Sequence, residues 1–129
     1  MVAMSSVKIV VTFSVLGRPQ PKQRPRLGIG GRVYTPAATK AYERNVALAY
    51  LVASNGFKRA SYLGEIELYI RCDVRGVARS DLDNVVKCIC DGLNGIAYAD
   101  DAQVSRIVAE RRQVSDKREE QALVEVTYP

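Results

Sequence analysis

The chain has 129 residues, 47% of them hydrophobic and 26% charged, which fits one globular domain spanning residues 1–129. It contains no histidine, which excludes Ser-His and Cys-His triads and histidine metal sites, and its three cysteines match neither a disulfide framework nor a zinc spacing. No stretch reads as a bilayer-spanning run or a secretory signal, so we expect a cytoplasmic protein with buried, reduced thiols.

Positive charge is concentrated in the first third of the chain. Residues 1–42 carry seven basic side chains and no acidic one, a charge of +7, whereas residues 43–129 carry twelve basic and fourteen acidic side chains, a charge of −2. A basic segment joined to an acid-containing body is typical of a protein that holds a polyanion and presents carboxylates to a second ligand. Pro- and Arg-rich segments also serve as tethers or protein-docking surfaces, so both interpretations stay open at this point.

The first half of the chain predicts a strand, an arm and a helix. Val7–Val15 is rich in β-branched residues and indicates a strand. Residues 17–34 hold three prolines, four glycines and five basic side chains without a period, which predicts a long loop or arm. Thr35-Pro36 then supplies an N-cap and a first-turn proline for a helix through about Ser54, ended by Asn55-Gly56.

The second half predicts three strands and one helix. Glu65–Asp73 alternates charged and apolar residues, the pattern of a strand with one wet face. Ser80 or Asp81 is expected to cap a helix that closes at Gly95. Its apolar positions follow the spacing of one buried stripe: Leu82, Val85, Val86, Ile89 and Leu93.

Two further strands are expected at the end of the chain, over residues 104–113 and 122–128. We expect them to pair antiparallel around the polar turn Ser115–Glu120. The order strand, helix, strand, helix, strand, strand predicts an α+β fold in which a mixed sheet is packed by two helices.

The segment Ser80–Val104 holds five of the fourteen acids. Asp81 and Asp83 stand two apart at a strand-to-helix junction, where a backbone that is not yet helical directs both side chains to the same side. Hard divalent cations such as Mg²⁺ prefer such oxygen ligands, supplemented by water and substrate phosphate oxygens. The pair Asp100-Asp101, on a different element, could supply a third ligand.

Lys87 follows Asp83 by four residues and therefore projects from the same helix face, where its ammonium could stabilise charge developing on phosphorus. Asp91 lies four residues further on, and its simplest role is an ion pair with Lys87. Each of these features also has a purely structural interpretation, because acids are favoured at helix starts, Asp-Asp is common in turns, and Asp–Lys pairs support helices.

In combination these residues resemble the signature of the RusA family of Holliday junction resolvases. The matching positions are Asp81, Asp83, Asn84 and Lys87, then Asp91-Gly92-Leu93-Asn94 and Asp100-Asp101-Ala102-Gln103-Val104. The upstream stretch, with Pro19, Pro21-Lys22 and Arg24-Pro25-Arg26, is also similar to the N-terminal region of bacterial and prophage members. The resemblance spans roughly residues 10–115, and the two aspartate blocks at this separation are specific in combination.

The resemblance implies a single RusA-like α+β domain that forms an intimate homodimer and resolves four-way DNA in recombination and repair, in association with the nucleoid. The cofactor would be Mg²⁺, with Mn²⁺ as a substitute. The implied metal ligands are Asp81, Asp83 and Asp101, with Asp100 as a neighbour, and the implied active-site lysine is Lys87. The residues of the arm that we expect to contact DNA are Lys22, Arg24, Arg26 and Arg32. A two-fold dimer suits two symmetric cuts.

Two alternatives remain open, the first of them in another class of protein. One is a non-catalytic nucleic-acid-binding module in which the acids are structural, and the other is a metal-dependent nuclease acting on RNA or on other DNA. Which of Asp100 and Asp101 is the principal third ligand, and whether one or two metal ions bind, also stays open.

Overall fold

Six strands and two α-helices make up the part of the chain that the structure, a computed structural model, describes: residues 8–77 and 81–129. In chain order they are β1 (Ile9–Leu16), β2 (Arg26–Leu27), β3 (Val33–Tyr34), α1 (Ala37–Ala53), β4 (Ile66–Arg75), α2 (Leu82–Leu93), β5 (Val104–Val114) and β6 (Gln121–Tyr128). No helix in these ranges is long and apolar enough to span a membrane.

A four-stranded sheet in the order β1-β6-β4-β5 forms the centre of the fold. β4 and β5 run parallel, and the other two pairings are antiparallel, so the sheet is mixed. Alternate side chains of β1, β4 and β6 form one hydrophobic core with side chains of α1 and α2. The predicted α+β domain with a mixed sheet and two packing helices is therefore confirmed.

The last two strands do not pair with each other, and this part of the prediction was wrong. β4 lies between them, with β5 on one side and β6 on the other. The turn from β5 to β6, capped by Asp116, therefore passes the end of β4 before β6 begins. One face of β4 is buried in the core and the other, which carries Glu67, Tyr69 and Arg71, is half-buried, whereas β5 is mostly exposed and lies at the edge of the sheet.

The start of α1 also differs from the prediction, while its end agrees. Pro36 occupies the N-cap position with extended backbone, the first helical residue is Ala37, and Thr35 lies before the cap. At the other end, Asn55 and Gly56 adopt positive φ angles of 56° and 79°, which stop the helix as expected.

Close packing fixes α2 against α1. A Cβ atom at Gly92 would lie 2.8 Å from the carbonyl oxygen of Glu43 and 2.9 Å from Cβ of Val46, so the two backbones approach at a point where a side chain does not fit. The predicted apolar stripe of α2 is only partly buried, because Val85, Ile89 and Leu93 reach the core while two stripe residues line a groove described below.

The three thiols lie in this core and are free, as expected. Burial raises the pKa of Cys72 to about 11, that of Cys88 to about 12 and that of Cys90 to about 11. They therefore stay protonated near neutral pH and behave as small apolar side chains rather than as nucleophiles.

Candidate active site

The N-terminus of α2 presents two carboxylates to solvent. Asp81 is the N-cap residue, with φ −68° and ψ 139°, and Asp83 lies in the first helical turn. Both residues are exposed, and the Asp81 side chain makes no capping hydrogen bond. The other expected cap, Ser80, lies outside the described residues. Among residues 8–77 and 81–129, neither carboxylate forms an ion pair, and both lie at the positive end of a helix dipole.

Lys87 is exposed on α2 one helical turn after Asp83. It lines a groove together with Asn84 of the same helix and with the arm residues Gln23, Arg24 and Pro25. The groove thus combines a lysine, an arginine and an amide beside the Asp83 end of the helix, a composition suited to a phosphate group.

Asp91 forms its ion pair with Lys22 of the arm and not with Lys87, which corrects the prediction. The backbone N–H of Lys22 donates to the carbonyl of Asn84 at 2.9 Å, and this bond directs the lysine side chain toward the last turn of α2. The hydrogen bond to Asp91 is the main reason why the pKa of Lys22 is raised, although burial opposes it.

Asp100 and Asp101 lie in a 3-10 turn, Asp101–Gln103, immediately before β5. The carboxylate of Asp100 accepts the Ala102 N–H at 2.9 Å, while the Gln103 side chain accepts the Asp100 N–H at 3.0 Å. These bonds hold the turn rigidly. The pKa of Asp101 is raised, first because its carboxyl shares a hydrogen bond with Asp100, and further by burial and by the charges of Asp100 and Asp91.

The fold of a single chain does not bring the two carboxylate pairs together. Ten residues of helix, a rise of about 15 Å, separate Asp81 from Asp91, and it is Asp91 whose charge acts on Asp101. Within residues 8–77 and 81–129, no group of three or more Asp, Glu, His or Cys side chains could hold a metal ion. The expected cluster is thus divided: Asp81 and Asp83 lie at the start of α2, and Asp101 lies in the turn beyond the end of that helix.

The arm is more ordered than the sequence indicated. β2 and β3 pair as a short hairpin, and its turn contains Gly30 and Gly31 at φ 83° and 77°. The base of the arm is held to α1, where the Gln23 N–H donates to the Thr39 hydroxyl at 3.2 Å. Arg24, Arg26 and Arg32 of the arm are exposed and form no ion pair within the described residues, whereas Arg18, also exposed, pairs with Glu120. The exposed hydrophobic residues of its hairpin are Leu27, Ile29, Val33 and Tyr34.

Residues 57–64, which were not among the predicted site residues, pack beside the turn that carries Asp100 and Asp101. The Gln103 side chain donates to the carbonyls of Tyr62 and Gly64 at 2.8 and 2.9 Å. The signal that could have drawn attention to this segment is the order aromatic, basic, basic at Phe57–Arg59, in a stretch from residue 54 to residue 64 that contains no acid.

A family model described as Endodeoxyribonuclease RusA matches residues 17–127, which is most of the chain. The chain belongs to the RusA family. The chain is also 27% identical over 141 residues to the "Uncharacterized protein YqaN" of Bacillus subtilis (strain 168), a match that covers 91% of this chain and 97% of that protein. RusA membership implies an endodeoxyribonuclease with a DNA substrate. In this RusA chain the signature residues lie on α2 and in the turn before β5.

Proposed function

We propose that this protein is a Mg²⁺-dependent endodeoxyribonuclease that resolves four-way DNA junctions by paired, symmetric cleavage in recombination and repair. RusA membership supports the DNA substrate and the reaction class. The observation that carries the proposal is the exposed carboxylate pair Asp81 and Asp83 with Lys87 one turn further along the same helix. In this role the Lys87 ammonium neutralises charge on the scissile phosphate.

The metal requirement fits one protomer only in part. Asp81 and Asp83 offer hard oxygen ligands of the kind that Mg²⁺ takes. Asp100 and Asp101 lie beyond the far end of α2, so the described residues of a single chain do not form a three-carboxylate site. We therefore infer that a second protomer supplies the missing carboxylates.

The surface that supports such a dimer lies along β5. β5 is an edge strand of eleven residues, and in the described sheet it pairs only with β4. A groove between β5 and α2 is lined by Leu82, Asp83, Val86, Ile107 and Ala109. Ile107 is 45% exposed. Long edge strands with exposed apolar side chains are normally covered, and a second copy of this face is the occupant that the proposal requires.

A dimer with a two-fold axis at this surface would bring the two carboxylate pairs together. α2 follows the carboxyl end of β4 and runs back, so its Asp81 end lies toward the carboxyl end of β5, while Asp101 immediately precedes the start of β5. A two-fold axis perpendicular to β5 would make the partner's β5 run antiparallel to it. The Asp81 and Asp83 pair of one protomer would then face the Asp100 and Asp101 pair of the other.

Subunit complementation tests this arrangement. Asp83→Asn and Asp101→Asn chains are each prepared and then refolded together, with each variant alone as the control. Sites shared between protomers predict one intact site in every mixed dimer, hence about a quarter of the wild-type sites after random mixing. Sites contained in one protomer predict no recovery at all, and that result would overturn the shared site.

The substrate is tested with labelled four-way junction, linear duplex, single strand and RNA, each with Mg²⁺, with Mn²⁺ or with EDTA. The proposal predicts cuts at symmetric positions in the junction that require the metal ion. Cleavage of RNA or of linear duplex at the same rate would favour a general nuclease instead. Junction binding without any cleavage would favour a non-catalytic binding module.

A further inference from the structure

Arg59 is held between two aromatic rings at the end of the sheet that carries Tyr128. Its guanidinium carbon lies 4.8 Å from the ring centre of Phe57 and 5.0 Å from that of Tyr128. Tyr128 is itself fixed, because its hydroxyl contacts the Tyr50 hydroxyl at 2.7 Å and donates to the Ala97 carbonyl at 2.6 Å. Phe57, on the other side of Arg59, is 59% exposed.

The charge of Arg59 is not neutralised within the described residues. Arg18, Arg71, Arg112 and Arg118 all form ion pairs with carboxylates. Across residues 8–77 and 81–129 no such pair involves Arg59, and its Nε is buried without a hydrogen-bond partner. A guanidinium stacked on rings keeps its planar orientation and its remaining donors, which is a favourable arrangement for an anion.

Neighbouring residues add to this positive surface. Lys58 is exposed, and residues 54–64 contain no acid. The segment is also fixed to the turn that holds the candidate carboxylates, because the Arg59 N–H donates to the Ile96 carbonyl at 2.8 Å and Gln103 bonds to Tyr62 and Gly64. A polyanion bound here would therefore lie close to Asp100 and Asp101.

We propose that Phe57, Lys58 and Arg59 form a second DNA-contact surface, separate from the arm, that binds backbone phosphates beside the Asp100 and Asp101 pair. Arg59 donates to a phosphate, Lys58 adds charge, and the Phe57 ring maintains the orientation of the guanidinium. This inference rests on the proposed DNA substrate, but it does not depend on cleavage. Its physical basis is that an unneutralised, stacked arginine loses little entropy on binding a phosphate.

The test is equilibrium binding of labelled four-way junction and linear duplex by the full chain in EDTA, at several salt concentrations. Arg59→Gln should weaken binding on the order of tenfold at moderate salt, as expected for one charged hydrogen bond, and lower the slope of log K against log salt by about one. Phe57→Ala keeps the charge, so it should weaken binding less and leave the slope almost unchanged.

Arg118→Gln is the matched control, since Arg118 is an arginine already paired with Asp116 at the opposite end of the sheet. It should bind as the wild type does. If Arg118→Gln weakens DNA binding as much as Arg59→Gln does, the effect reflects only the total charge of the protein and the proposal is overturned. Wild-type affinity and salt slope in Arg59→Gln would also overturn it.

Thermal melting shows whether Arg59→Gln still folds. If it does not fold, variants of the exposed Lys58 and Phe57 provide the test. Lys58→Gln should lower the slope of log K against log salt. Unchanged DNA binding by both Lys58→Gln and Phe57→Ala would overturn the proposal. If the wild type binds the junction but does not cleave it, only the proposed nuclease function is overturned. If the Arg59, Lys58 and Phe57 variants bind DNA as the wild type does, only the proposed DNA-contact surface is overturned.

Discussion

Lys22 and Asp91 form an ion pair that joins the base of the basic arm to the last turn of α2. The pair is only partly exposed, with 28% of the Lys22 side chain and 20% of the Asp91 side chain accessible. The charge of Lys22 is thus already satisfied, whereas among the described residues no ion pair involves Arg24, Arg26 or Arg32. Lys22 is better suited to orienting the arm than to holding a phosphate.

Lys22→Ala should therefore affect DNA binding differently from Arg24→Ala. Removal of a direct phosphate contact lowers the slope of log K against log salt by about one, so we expect this for Arg24→Ala. Lys22→Ala should leave the slope nearly unchanged and lower the free energy of unfolding by up to about 1 kcal/mol. Binding isotherms and urea denaturation measure the two effects. A full unit of slope lost in Lys22→Ala would make it a phosphate contact.

The carboxylates at the two ends of α2 should be required for cleavage but not for binding. Asp81→Asn, Asp83→Asn and Asp101→Asn each remove a hard oxygen charge, so metal-dependent cutting should be abolished while junction affinity is retained or increased. Gel assays of cutting and of binding provide the two readouts. Asp116→Asn, which lies in the β5–β6 turn, is the control and should cut normally. Full activity in any of the three variants would remove that residue from the mechanism.

Lys87→Ala should lower the single-turnover rate on the order of a hundredfold, the scale expected when one electrostatic stabiliser of a transition state is lost. Its exposure on α2 predicts an intact fold. Lys87→Arg should restore little, because a planar guanidinium does not replace a compact ammonium. Because Lys87 has no part in the Asp91 pair, a normal rate in Lys87→Ala would leave it as a surface lysine of the arm groove.

Asp73 should make stability sensitive to acid. It is fully buried and accepts bonds from Arg71 at 2.9 Å, Arg112 at 3.1 Å and Gln121 at 3.1 Å. Burial raises the pKa of Asp73, but the hydrogen bonds from Arg71 and Gln121 and the two positive charges outweigh it, so the pKa lies below the usual 3.8. The stabilisation is therefore present above the unfolded-state value and is lost as pH falls through the folded-state one.

At neutral pH we expect Asp73→Asn to lower the free energy of unfolding by about 2 kcal/mol, because the buried side chain loses charged hydrogen bonds while the arginines left behind still reach solvent. The difference from the wild type should shrink below pH 3.8. Urea denaturation at a series of pH values measures this. Asp116→Asn, in an exposed pair with Arg118, should cost less than about 1 kcal/mol. A pH-independent difference for Asp73→Asn would contradict the titration argument.

Local patterns in the sequence predicted the elements well, since side-chain alternation and helical spacing are properties of neighbouring residues. The strand now seen as β4, the helix α2 and the stop at Asn55-Gly56 all follow from such patterns. The carboxylate signature was also readable, and it indicated the family to which the chain belongs. The N-cap of α1 was assigned to Thr35, but it is Pro36. Thr35-Pro36 suits an N-cap at either residue, and only the backbone angles of Pro36 show that the helix begins after it.

Contacts between residues far apart in the sequence were decided by the tertiary structure. The four-residue spacing suggested that Asp91 pairs with Lys87. In the fold, the arm is bonded to α2 through the Lys22 N–H and the Asn84 carbonyl, and Lys22 forms the ion pair with Asp91 instead. Likewise, adjacency in the sequence suggested a β5–β6 hairpin, whereas in the fold β4 lies between these two strands and pairs with both. The sequence by itself determined which carboxylates are available. Only the fold, through the length of α2 and the parallel return of β5, determined that Asp81 lies at the start of α2 and Asp101 in a turn beyond the end of that helix.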